Sequence, residues 1–77
     1  MQPSETAAEA VIGTVVSFNA IKGYGFIRRH DNREEVFVHY TAICSNGYRE
    51  LVPEQRVSFD VKPGPRGPIA SNVRVQG

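Results

Sequence analysis

Lys22-Gly23-Tyr24-Gly25-Phe26-Ile27, answered ten residues on by Val36-Phe37-Val38-His39-Tyr40, leaves this chain few ways to fold. Both stretches alternate with period two, the repeat of a β-strand with two unlike faces. Drawn as strands, Tyr24 and Phe26 fall on one side and Gly23, Gly25 and Ile27 on the other. Phe37 and His39 share one side, and Val36 and Val38 the other. One face thus carries aliphatic groups or none, and the other carries flat rings. If the rings were core, Ile27, Val36 and Val38 would point at water, which reverses the usual order of burial. Glycine inside a strand weakens it unless the missing side chain makes room for something. We therefore read the glycines as space for a segment packing beneath, and the rings as a displayed outer face.

Display is costly in a chain of this size. Seventy-seven residues form one small domain whose core supplies only a few kcal/mol, so apolar surface left exposed needs a reason. Net charge is +1 and the pI is near 7.9, well short of the strongly basic signature of many nucleic-acid binders, so charge placement and stacking would have to do what net charge does not. The lone Cys44 excludes an intramolecular disulfide and any clustered Cys/His metal site. No apolar run approaches the roughly 20 residues of a membrane span, and no secretory signal is visible. These features lead us to expect a cytoplasmic monomer without metal, cofactor or membrane attachment.

Residues 1–10 carry no large apolar side chain besides Met1 and read as a flexible leader, leaving 11–77 as the folded domain. Strands are expected at 11–19, 24–29, 35–39, 57–61 and 69–75, with Gly13 marking a bulge or a close backbone approach. Short turns at 20–23 and 30–33 make the first three strands an antiparallel meander. Between strands three and four, Thr41-Ala42-Ile43 predicts one helical turn and Ser45-Asn46-Gly47 a turn, with Leu51 and Val52 tucked under the fold and Cys44 semi-buried. Residues 62–68, rich in Pro and Gly, read as a stiff loop. Five short strands have edges to hide, and closure removes them. The expected fold is all-β, a five-stranded antiparallel OB-fold barrel, with a small SH3-like barrel as the alternative.

A displayed ring face suits single-stranded nucleic acid, because each stacked base gains about 1–3 kcal/mol and every base has a π face. Tyr24, Phe26, Phe37 and His39 form that platform, and His39 also offers a hydrogen bond. Lys22, Arg28 and Arg29 flank the rings, and Lys22, where a strand begins, is placed to meet a phosphate; each also reads as a solvated surface group, Arg29 and Arg33 at least as well.

These residues resemble the cold-shock domain family. Gly13-Thr14-Val15, Phe18-Asn19 and the Lys22 to Ile27 stretch match its first half, the last falling on the first RNA-binding motif. Val36-Phe37-Val38-His39 falls on the second, and Gln55 to Val61, Arg66-Gly67-Pro68 and Ala70-Ser71-Asn72-Val73 are similar to its end. The resemblance implies an OB-fold barrel binding single-stranded RNA or DNA, acting as an RNA chaperone or a transcription or translation regulator. Carried over, the ligand-facing positions are Phe18, Lys22, Tyr24, Phe26, Phe37, His39 and Tyr40, with Tyr48, Arg66 and Pro68 at the rim. Val16 and Ser17 depart from the family's usual Lys-Trp, removing one stacking ring and one cation. Pro53-Glu54 replaces a usual acidic-Gly turn.

Rival readings are weaker. An RNA-recognition motif needs a later aromatic where Arg29 stands, and two substantial helices. A protein-interaction module docking a partner on the same rings remains an alternative, distinguished by its indifference to salt. No nucleophile, base and orienting group converge in the sequence, so an enzyme is not expected.

Overall fold

The computed structural model describes residues 10–44 and 50–76. The alternating stretches become strands β1 (Val11–Asn19), β2 (Tyr24–Arg29), β3 (Glu35–His39), β4 (Arg56–Gly64) and β5 (Gly67–Val75), with a single 3₁₀ turn at Tyr40–Ala42 after β3. They close into a barrel in the order β1-β2-β3-β5-β4. Closure differs from the expected all-antiparallel arrangement: β3 meets β5 in parallel, through Phe37 opposite Ile69, and Ile43 bridges Val73 in the same sense. The remaining pairs are antiparallel.

Burial follows the predicted faces. Ile27, Val36 and Val38 are completely buried beside Val15, Val57, Phe59 and Val73, and Ile43, Leu51 and Ala70 close the ends of this core. Each such aliphatic side chain contributes on the order of 1.5–3 kcal/mol relative to exposure. The strand glycines make the space they were expected to make. A Cβ on Gly13 would lie 2.5 Å from the Arg28 carbonyl oxygen, and one on Gly25 would lie 2.7 Å from the Phe18 Cα.

The bulge lies at Val16 rather than at Gly13. Val15 pairs with Ile27, but Ser17, not Val16, pairs with Phe26. That extra residue resets the parity of β1, so Ser17 turns outward and Phe18 falls opposite Gly25. Phe18 is accordingly half-buried and packed against the core.

The β1–β2 turn is tied by its own side chain. The Asn19 Oδ1 accepts the Lys22 N–H at 2.9 Å, the Asn19 carbonyl accepts the Gly23 N–H at 2.7 Å, and Gly23 takes a left-handed φ of +80°. The segment expected as a stiff loop at 62–68 is mostly ladder: Pro63 faces Pro68 and Gly64 faces Gly67, so only Pro65 and Arg66 form the hairpin tip. Leu51 is buried as expected, whereas Val52 is exposed, as is Cys44. The expected turn at 45–47 lies outside the described residues, as does the leader through residue 9.

Candidate nucleic-acid interface

Strand register places the outward side chains of β1, β2 and β3 in three rows. Asn19, Tyr24 and His39 form one, Ser17, Phe26 and Phe37 the second, and Thr14, Arg28 and Glu35 the third. Rows two residues apart are separated by about 6.6 Å along the strand. The first two rows carry the rings. Tyr24 and Phe37 stack with centroids 5.6 Å apart and planes 29° from parallel. Phe26 meets Phe37 edge-on at 5.9 Å. Tyr24 and Phe26 keep 36% and 37% of their surface in solvent, so both rings are held by Phe37 and still open to a ligand.

The first row continues around the corner. His39 caps the 3₁₀ turn: its Nδ1 accepts the Thr41 N–H at 3.4 Å and lies 2.9 Å from the Thr41 hydroxyl. When Nδ1 accepts that N–H, the neutral ring carries its proton on Nε2, and the side chain as a whole is exposed. Tyr40 leans on His39, with centroids 4.7 Å apart. Its ring occupies the space where a Cβ on Gly23 would sit, 2.8 Å from that position, and its N–H is accepted by the Gly23 carbonyl. Gly23 is thus required twice, for its left-handed backbone and for the ring laid over it. The exposed Lys22 precedes Gly23 at this end of the sheet.

Opposite the rings rises the β4–β5 hairpin. Tyr24, Phe26 and Phe37 on one side, and Arg66, Pro68 and Ile69 on the other, enclose a largely apolar depression of about 600 Å³. Arg66 and Pro68, far from the rings in sequence, are brought to them. Ile69 was not singled out, because its place follows from the parallel closure against Phe37, for which sequence carries no local signal. Tyr48 lies outside the described residues.

Charge around the rings is unevenly committed. Arg29 holds Asp31 through two hydrogen bonds of 2.9 and 2.8 Å. That contact raises the Arg29 pKa above its ordinary value and lowers that of the exposed Asp31, in both cases chiefly through the hydrogen bond itself. Arg29 is therefore occupied. Arg28 pairs with Glu35 at 3.2 Å, with both side chains about half in water. Among the described residues no group of three His, Cys, Asp or Glu gathers as a metal site, and no helix is long and apolar enough to cross a membrane. What the arrangement offers chemically is a flat, partly apolar surface with one imidazole donor and cations at its margins.

Comparison with known proteins agrees with this geometry. The family model described as the 'Cold-shock' DNA-binding domain matches residues 11–76. The chain is 53% identical over 62 residues to the major cold shock protein of Micrococcus luteus, covering 80% of this chain and 92% of that one. It is 55% identical over 62 residues to cold shock protein CspC of Bacillus subtilis, with the same coverage. It is 52% identical over 61 residues to cold shock-like protein CspG of Escherichia coli K12, covering 79% and 87%. Among solved structures, that of drosophila Unr CSD456 superposes with a TM-score of 0.76 at 19% identity, over the whole of this chain and 32% of that one, a likeness of fold.

Proposed function

The chain belongs to the cold-shock domain family, whose function is nucleic-acid binding, and from that premise we propose that it captures single-stranded RNA or DNA on the ring rows of β2 and β3. Bases stack on Tyr24, Phe26, Phe37 and His39, while Tyr40 extends the platform. The hairpin side chains Arg66 and Pro68 form the opposite wall, and Lys22 meets the backbone. Phe18, half-buried at the edge of these rows, belongs to the same proposed surface. Tyr48 belongs to the proposed rim.

The single observation that carries this reading is the pair of exposed ring rows facing an apolar hairpin wall across a depression of about 600 Å³. Stacking is indifferent to base identity, so binding has little sequence preference. No nucleotide hydrolysis is needed, because holding the unpaired state alone shifts self-paired RNA towards it. The protein acts as an RNA chaperone, or as a regulator of transcription or translation, working as a cytoplasmic monomer without catalysis.

The test is titration with oligo-dT and oligo-rU at two salt concentrations. Affinity should fall with salt, with a log–log slope of roughly −0.7 per phosphate neutralised. Tight binding that ignores salt, or binding of a protein partner in place of oligonucleotide, would overturn the proposal.

A further inference from the structure

We propose that the third outward row, Thr14–Arg28–Glu35, continues the binding track past the rings, and that Arg28, with Arg33 beside it, holds a backbone phosphate of the single strand. The inference rests on the nucleic-acid reading above and extends its footprint beyond every position assigned so far.

Arg28 stands two residues beyond Phe26 on the same outward face of β2, so the column Tyr24, Phe26, Arg28 runs unbroken. A strand laid along two ring rows and longer than they are meets Arg28 next. The surface there is open. Thr14, Val16, Arg28, His30 and Arg33 are among the residues around an open depression of about 390 Å³, one step from Ser17, which leaves the way from Phe26 unobstructed.

The cations are available. Arg33 makes no ion pair among the described residues. Among the described residues Arg28 is held only by Glu35, in a pair exposed enough to contribute about 0–1 kcal/mol, so a phosphate can share or displace that partner. A guanidinium has five donors in a planar fork and keeps several free after engaging one carboxylate oxygen. Arg29 also borders the depression, but its guanidinium is tied to Asp31 by two hydrogen bonds, which leaves Arg28 and Arg33 as the cations open to a phosphate.

The charges set the character of the contact. Arg28, Arg29 and Arg33 are opposed locally by Asp31, Glu34, Glu35 and Glu54, the last also bordering the depression. The region therefore exerts no long-range pull. It acts through charge-assisted hydrogen bonds at contact, which is why strand length and not encounter rate reports on it.

The experiment is a length series of oligo-dT measured with the intact protein, Arg28→Gln and Arg28→Lys. In the wild type, affinity should keep rising once the oligomer outgrows the rings. Arg28→Gln should remove that late gain, weakening the longer oligomers about five-fold and making their salt slope shallower by roughly 0.7, with the shortest binders unchanged. Arg28→Lys should retain the slope, because it keeps the charge. A late gain that persists in Arg28→Gln overturns the proposal, as does an equal loss at every length or an Arg28→Lys that behaves like Arg28→Gln. A wild type that binds no oligomer sinks the nucleic-acid reading and this inference together, whereas binding with Arg28 silent sinks only the inference.

Discussion

Ser17 is where the ring face is thinnest. It lies outward and directly opposite Phe26, so a large flat side chain there would extend the second row by one position. Ser17→Trp should tighten oligo-dT binding by about 1 kcal/mol or more, roughly five-fold in Kd. The chain contains no tryptophan, so the new indole is also its own reporter. Its fluorescence should change on titration, and an indole indifferent to the oligomer would mean that position 17 does not face the ligand. Phe26 and Phe59 provide the matching contrast. Phe26 is 37% exposed, whereas Phe59 is 1% exposed in the core. Phe26→Ala should weaken oligonucleotide binding by about 1–3 kcal/mol with only a small fall in Tm. Phe59→Ala should cost about 3–5 kcal/mol of stability, most of what so small a domain has. Thermal melts beside binding titrations separate the two, and a Phe26→Ala protein that unfolds would return the rings to the core.

The connection into β4 holds a strained residue. Glu54 adopts a left-handed φ of +79°, a conformation that crowds a Cβ. It is held there because its N–H donates to the Val15 carbonyl at 2.9 Å, while the Val52 N–H is accepted by the Gln55 side chain at 2.8 Å. Glu54→Gly relieves that crowding but adds chain entropy to the unfolded state, and the net gain should be about 0.5–1 kcal/mol. The expected result is a Tm higher by a few degrees, with oligonucleotide affinity undiminished; a lower Tm would show that the carboxylate side chain stabilises the turn. Turn chemistry of this kind was legible as a departure, Pro53-Glu54 in place of a glycine, but its solution was not, because tertiary hydrogen bonds impose it. The same division runs through the molecule. Period-two alternation was enough to sort Ile27, Val36 and Val38 inward and Tyr24, Phe26 and Phe37 outward. It does not extend through β1, because the bulge at Val16 shifts parity by one and nothing in Thr14-Val15-Val16-Ser17 announces it. Pro63 and Pro68 suggested a loop, yet they face each other across the ladder, where neither needs the N–H that the other lacks. Ile69 escaped notice because a parallel closing pair joins residues remote in sequence.

At the scale of the whole molecule, the barrel is joined between β3 and β5 by a single strand pair, Phe37 with Ile69, and by the bridge from Ile43 to Val73. The candidate binding depression straddles that seam, with Phe37 on one bank and Ile69, Pro68 and Arg66 on the other. A ligand lying there touches both sides, so binding and barrel closure reinforce each other. Net charge of +1 gives little long-range steering, and affinity must come from this contact surface. A protein that grips only unpaired strands opens paired ones by mass action, in proportion to the protein bound, and needs no nucleoside triphosphate. An RNA hairpin labelled at both ends should therefore open progressively as protein is added, with an end point independent of added ATP and reversed by excess unlabelled oligo-dT. Over the same range the protein should gain stability as RT ln(1 + [L]/Kd), about 2.7 kcal/mol at a hundred-fold excess of oligomer over Kd. Hydrogen exchange at the β3–β5 seam should slow on binding. A protein that binds the closed hairpin as well as the open strand would leave the label unchanged while still gaining stability, and would assign recognition to the phosphate backbone instead of the rings.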